Sequence, residues 1–312
     1  MVVESDLGVN RTLREIGLNK STFYKWYKSY SDQGVEGLET SNRSARRQWN
    51  SIPQEQKNLV VEVALERPDL SSRELAYHLT DVQQVFISES SVYRILKSRG
   101  LITSPAHLFI SAGDEFTDKT KFVHQMWQTD FTYFKIIGWG WYYLSTVLDD
   151  YSRYIIHWEL CSHRKVDDVK RSMDNALRKA GLSKKNAPRL LSDNGSCYIS
   201  SELAEYIDAK GMSHVRGKPN HPQTQGKIER YHRSMKNLVK LENYYLPGDL
   251  KQRLEEFVSY YNNHRYHESL QNLTPADVYF GRDQKKLEKR KSVKMKTMKM
   301  RRKQHQLQRL NL

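Results

Sequence analysis

"WQTDFTYFKI" (Trp127–Ile136), "WYYLSTVLDD" (Trp141–Asp150) and "RYIIHWELCS" (Arg153–Ser162) follow one another with only "IGWG" and "DDYS" as connectors. Each run is rich in aromatic and β-branched residues, and the connectors carry Gly, Asp and Ser. That combination predicts an antiparallel meander of three strands. Beyond it the pattern predicts a helix from Val166 to Ala180 stopped by Gly181, and then a short strand in "PRLLSDNG". A helix from Ser201 to Lys210, the short strand "SHVR" and a loop running into a helix in "NHPQTQGKIERYHRSMK" (Asn220–Lys236) come next. A helix from Leu250 to Asn263 and "TPADVYF" complete the segment. Three strands followed by alternating helix and strand make an α/β domain with a mixed sheet.

Upstream, the chain reads as all helix. "LREIGLNKSTFYKWYKSY" (Leu13–Tyr30) offers Ile16, a turn at Gly17, a cap at Ser21, and Phe23, Trp26 and Tyr30 at helical spacing. That is a helix-turn-helix layout, although a plain helical hairpin fits the same residues. "ETSNRSARRQWN" (Glu39–Asn50) is a polar linker whose Arg43, Arg46 and Arg47 can follow DNA phosphates. A second helical unit opens at Pro53 with Leu59, Val60 and Val63 as its apolar face, and continues with the capping box "SSRE" (Ser71–Glu74). Its last helix, in "ISESSVYRILKSRGL", turns Val92, Ile95 and Leu96 inward and stops at Gly100. Arg94, Lys97 and Arg99 lie on the outer side. Expected domains are a first helix-turn-helix-like unit with its linker (1–48), a second (49–106), a linker (107–121), the α/β core (122–281) and a basic tail (282–312). The two helical units would meet DNA through Lys20, Thr22 and Lys25 and through Ser91, Arg94 and Lys97.

The 312 residues carry a formal charge of +15. From Gly281 to Leu312 there are thirteen Lys/Arg against two acids, so that stretch alone holds +11 and the remainder +4. Such asymmetry points to a polyanion, nucleic acid before anionic membrane. "KMKTMKMRRK" reads as a solvated or disordered run in contact with DNA phosphates. No run of roughly 18 apolar residues exists, so no membrane helix is expected. The N-terminus lacks the pattern of a secretory signal. Cys161 and Cys197 are the only cysteines, which excludes a disulfide framework or a Cys-rich zinc site and suits a reducing cytosol, at the nucleoid. Cys197 is expected to be a small buried residue.

Three acids stand out. Asp130 lies in the middle of the first strand, where an acid is costly without a partner. Asp193 follows a strand in "SDNG", at the sheet edge where ligands bind in open α/β folds. Glu229 lies among Lys227, Arg230, Arg233 and Lys236 on the late helix. Each has an ordinary reading alone: a turn for Asp193, an i,i+4 pair with Arg233 for Glu229, and a hairpin connection for Asp149 and Asp150. Together, three carboxylates at one point require cations, and Mg²⁺ with its preference for carboxylate, water and phosphate oxygens suits them.

"WQTDFTYF", "YYLSTVLDDYSRYIIHWEL", "LLSDNGS", "HPQTQGKIERYHRSMK" and "YYNNHRYHESLQNLTPADVY" resemble the integrase-type catalytic core of bacterial insertion-sequence transposases, DDE enzymes related to retroviral integrases. The resemblance covers about 127–281, with Asp130, Asp193 and Glu229 in the order of the triad and 35 residues between the last two. It implies a ribonuclease H-like fold and two Mg²⁺, with Mn²⁺ as a substitute. Asp130 would bridge both ions, and Asp193 and Glu229 would each complete one. It further implies that water cuts at an element end and that the freed 3′-OH attacks target DNA. Lys227, Arg230, Arg233 and Lys236 would hold the phosphate backbone, and the loop with His221 and Pro222 would act as a flap. Implied partners are double-stranded DNA at element ends and target, a second copy of the chain on DNA, and the product of an upstream reading frame, because the first helical unit begins only about a dozen residues from Met1. The zinc-bound N-terminal domain of retroviral integrases is absent, and Tyr266 stands where many relatives have Pro. A non-catalytic end-binding protein from a truncated or decayed element, and a two-metal nuclease without strand transfer, remain the alternatives.

Overall fold

A computed structural model of the chain describes residues 2, 5–38, 48–102, 120–216, 226–239 and 244–310. The described residues fall into two compact units, one of 1–51 with 304–312 and one of 52–303. The first contains α1 (Val9–Glu15), α2 (Lys20–Gln33) and a 3₁₀ turn (Gly34–Leu38). Gly17 makes the turn between the helices at a φ of 68°, as its position in the sequence predicts. The cap, however, is Asn19, whose side chain accepts from the Ser21 N–H at 3.0 Å, and not Ser21 itself. Trp26 and Tyr30 are each 50% exposed, so their helical spacing marks a surface and not a buried face. Arg43, Arg46 and Arg47 lie outside the described residues, as does most of the linker before the core.

The second unit begins with three helices, α3 (Gln54–Glu66), α4 (Ser72–Asp81) and α5 (Glu89–Ser98). Val60, Val63, Leu75, Leu79, Val92, Ile95 and Leu96 close one apolar cluster between them. The capping box forms as expected: the Ser71 hydroxyl accepts from Glu74 N–H and the Glu74 carboxylate accepts from Ser71 N–H.

The core follows as β1 (Met126–Ile136), β2 (Gly140–Asp149), β3 (Ile155–Cys161), α6 (Val166–Ala180), β4 (Arg189–Ser192), α7 (Ser196–Ile199), α8 (Ser201–Ala209), β5 (Ser213–Arg216), α9 (Gly226–Val239), α10 (Pro247–Asn263) and α11 (Pro275–Tyr279). The sheet order is β3-β2-β1-β4-β5. β1, β2 and β3 pair antiparallel, and β4 and β5 add parallel to β1, so the sheet is mixed as the sequence predicts. Alternation along the strands sends Trp127, Val147 and Ile156 to a face covered by α6 and α8. It sends Phe134, Ile136, Leu144 and Leu148 to a face covered by α9 and α10. A register shift in the β2–β3 pairing sits at Val147/Leu148, and there Asn262 of α10 bonds both the N–H and the C=O of Ile155, at 2.9 and 3.0 Å.

α6 is tied down by a polar network. Ser172 bonds Glu159 of β3 at 2.7 Å and Ser145 of β2 at 2.9 Å, while Arg171 reaches Glu159 at 3.2 Å. Burial alone pushes the Glu159 carboxyl up, but His157, Ser172 and Arg171 overturn that and hold it at about 2.

The basic tail departs from expectation. It is a 28-residue helix, α12 (Asp283–Leu310), with Arg290, Val293, Thr297 and Arg301 buried along one side. Arg290 forms a two-pronged pair with Asp81 of α4, both bonds at 2.7 Å, and also bonds the carbonyls of Gln271 and Asn272. Those two residues have left-handed backbone, with φ of 54° and 56°. Arg301 bonds Gln56 and the Phe86 carbonyl, and Thr297 accepts from Phe86 N–H. A charge run lacks apolar periodicity, so the sequence hides this packing: guanidinium groups with long apolar stems fill the buried positions. Among the described residues, no helix is long and apolar enough to cross a membrane.

Two outcomes test these contacts. Arg290→Met leaves buried Asp81 with only the more distant Lys286 ammonium, at 3.6 Å, and the Tyr266 hydroxyl, and should cost about 3 kcal/mol in denaturant unfolding of the full chain. The stabilisation from Glu159 is present above its ordinary value of 4.5 and is lost as pH falls toward about 2. Wild type should therefore lose on the order of 2 kcal/mol more than Glu159→Gln between pH 6 and pH 3.

Candidate active site

β1 and β4 run parallel, and Gln128 lies opposite Leu191. Asp130 lies two residues beyond Gln128 within β1, and Asp193 follows directly on Ser192, the last residue of β4. Asp130 is partly exposed, its Oδ1 accepting from the Phe131 N–H at 2.8 Å and its Oδ2 lying 3.4 Å from His232 Nδ1. Asp193 is exposed, and its Oδ1 accepts from the Gly195 N–H at 2.9 Å. A Cβ at Gly195 would stand 2.9 Å from that same Oδ1, so a side chain there would displace the Asp193 carboxylate from this position.

Glu229 sits in the first turn of α9, exposed. That turn is anchored to the sheet from beneath. The Ile228 N–H donates to Gln128 Oε1 at 3.1 Å, and Gln128 Nε2 donates to Asp150 Oδ1 at 2.6 Å. Lys227 pairs with the other Asp150 oxygen and bonds the Asp150 carbonyl at 3.0 Å, and Thr120 donates to Asp150 at 2.6 Å. One turn on from Glu229, His232 is buried beside Asp130, with its Nε2 unpartnered. α9 therefore touches β1 on both sides of Glu229. Asp150 was expected to be a plain hairpin residue, and its role was not legible because no local pattern marks a carboxylate that serves residues 22 and 77 positions away. Asp149 beside it is fully buried, and burial raises its pKa against the opposing bonds from the Ser152 hydroxyl and N–H and from the His124 N–H.

The three carboxylates are hard oxygen donors of the type a divalent cation takes. Asp130 is on β1, Asp193 directly follows β4, the strand paired with β1, and Glu229 is on the helix packed against β1. Among the described residues, no three His, Cys, Asp or Glu stand close enough together to hold a metal ion. Of the basic residues singled out on α9, Lys227 is committed to Asp150, whereas Arg230 and Arg233 are exposed. Lys236 is half-buried, with its ammonium 4.9 Å from the centre of the Tyr133 ring. On α5, Arg94 and Lys97 are exposed, and Ser91 is half-buried within reach of Arg94 at 3.3 Å. On α2, Lys20 and Lys25 are exposed and Thr22 is half-buried. The loop with His221 and Pro222 lies outside the described residues. Cys197 is buried and its thiol is raised by burial, and burial pushes Cys161 up to about 12.

Residues 122–222 match a family described as an integrase core domain, residues 210–275 match a second integrase core domain description, and residues 22–96 match a homeodomain-like domain. The chain is 25% identical over 155 residues to a putative transposase, InsK, of insertion sequence IS150 from Escherichia coli K12, which covers 49% of this chain and 54% of that protein. It is 25% identical over 150 residues to a putative integrase, ORF3, of Spiroplasma virus SpV1-C74, covering 43% of this chain and 41% of that one. These matches span about half the length of each relative. The HTLV-2 integrase catalytic core domain in complex with magnesium aligns at 19% identity and a TM-score of 0.41, over 51% of this chain and 97% of that one.

Lys227→Met would leave Asp150 buried with its hydrogen bonds from Gln128 and Thr120 but without its cation. The expected loss is about 2 kcal/mol in denaturant unfolding, against less than about 0.5 kcal/mol for exposed Arg230→Met.

Proposed function

We propose that this chain, in which residues 122–275 are a DDE transposase/integrase-like core and residues 22–96 a homeodomain-like region, is a DNA transposase. In this reading it binds the ends of a mobile element, cuts a phosphodiester there and joins the freed 3′-OH to target DNA. The observation that supports the reading is the pairing of β1 with β4, with Asp130 on β1, Asp193 directly after β4 and Glu229 next to the Ile228–Gln128 bond. Those three acids are the proposed catalytic and metal-holding residues, for Mg²⁺ with Mn²⁺ as a substitute. When bound, two such ions stabilise the attacking and leaving oxygens at phosphorus.

The chain's own contribution is positional. The Gln128–Asp150–Lys227 network holds the first turn of α9, and with it Glu229, against β1. Arg230 and Arg233 offer exposed cations beside that turn for a DNA backbone. Arg94 and Lys97 on α5, with Lys20 and Lys25 on α2, offer the same for element ends. Joining two ends requires two active sites, so the active form is at least a dimer on DNA, working at the nucleoid.

The test uses purified protein, labelled duplexes from the DNA flanking the gene, and Mg²⁺. Wild type should cut at the 3′ end and join to a plasmid. Asp130→Asn, Asp193→Asn and Glu229→Gln should each lower joining at least about 10³-fold while leaving end binding within about twofold. Binding without cutting would favour a non-catalytic end-binding protein, and cutting without joining would favour a nuclease. Arg94→Ala and Lys97→Ala should each reduce the slope of log affinity against log salt by about 1.

A further inference from the structure

β4 ends at Ser192, and β1 pairs with it only from Met126 to Gln128. From Phe131 to Ile136, β1 is paired on its β2 side alone among the described residues. The next residue, Ile137, donates its N–H to the Tyr244 carbonyl at 3.1 Å, and around the stretch of edge before it, open among the described residues, lies a group of exposed aromatic rings. Tyr133 is 50% exposed and Trp141, opposite Lys135 on β2, is 53% exposed. The two rings meet edge to face at 5.3 Å. At the hairpin tip Trp139 is 57% exposed, in a turn carrying Gly138 and Gly140 at positive φ. Neither core cluster of the sheet includes these rings.

Two lysines accompany them. Lys135 reaches the Trp141 ring at 6.0 Å, and Lys236 reaches the Tyr133 ring at 4.9 Å. Lys236 comes from α9, two turns beyond Glu229, on the sheet face opposite to the one Tyr133 occupies. Its side chain therefore passes round the open edge of β1, between the acid face and the aromatic face. Three residues of strand separate Asp130 from Tyr133, about 10 Å, which is about three nucleotides of one DNA strand.

Aromatic rings open to solvent with ammonium groups beside them suit nucleobases and phosphates together. A buried apolar partner would instead have to desolvate both lysines. We propose that Tyr133, Trp141 and Trp139, with Lys135 and Lys236, form a stacking platform for unpaired bases of a DNA strand that crosses the open edge of β1. This rests on the transposase reading. It adds a site that holds the terminal nucleotides of an opened duplex away from the carboxylates.

The experiment uses the full chain in EDTA and compares three fluorescein-labelled probes at one salt concentration: oligo-dT of twenty residues, an abasic strand of the same length, and a duplex of the same length. Wild type should bind oligo-dT at least about tenfold more tightly than the abasic strand. Trp141→Ala and Tyr133→Ala should each weaken oligo-dT about tenfold and the other two probes less than about twofold. Trp141→Tyr, which keeps a ring, should retain oligo-dT binding, and equal melting temperatures of the variants verify that they fold. Equal weakening on all three probes, or equal wild-type affinity for oligo-dT and the abasic strand, would overturn the platform. So would a smaller sedimenting species with unchanged oligo-dT affinity, which would make this face a contact between copies. No metal or cleavage enters this assay. Failure of joining in the Mg²⁺ assay is thus a separate result from failure here.

Discussion

Asp150 is a carboxylate 2% exposed at the end of the central hairpin, and the candidate site hangs on it. A charge so placed persists only when its oxygens are fully engaged. Lys227, Gln128 and Thr120 supply those bonds, and the Gln128 side-chain oxygen in turn accepts from the Ile228 N–H. The result couples β1, the end of β2 and the first turn of α9 through one buried group. Glu229 follows Ile228 directly, and His232 lies a turn later against Asp130. The first turn of α9, which carries Glu229, is thus held against β1 by residues outside the three acids.

The helix α12 does comparable work further out. Arg290 satisfies the buried Asp81 and gathers the carbonyls of two left-handed residues, Gln271 and Asn272, so one guanidinium joins α4 to the turn before α11. Planar guanidinium with five donors suits this where an ammonium would not. The same helix exposes Lys285, Lys289, Lys291, Lys296 and Lys299. High positive charge here serves both packing and surface, a division that the count of charges conceals.

Much of the core was legible. The meander appeared in the alternation of aromatic and β-branched residues, α6 in the interval from Val166 to Gly181, and the α4 cap in "SSRE". These features depend on neighbours within a few positions, so local physics decides them. Gly195 was visible as part of a turn, and the structure adds that any side chain there would meet Asp193. What escaped depends on distant partners. The cap at Asn19 competed with an equally plausible Ser21, two residues away. The burial of Arg301 against Gln56 joins residues 245 positions apart, and no periodicity announces it.

By itself the sequence determined the strand and helix segments of the core, the mixed character of its sheet and which three acids to examine, because propensity, capping and spacing are short-range. Only the tertiary structure decided that β4 pairs parallel with β1, the strand that carries Asp130, and that a basic tail becomes a packed helix. It likewise decided that Asp150, a residue of the turn after β2, carries the position of α9, because burial removes water and obliges each polar group to find a partner wherever the fold supplies one.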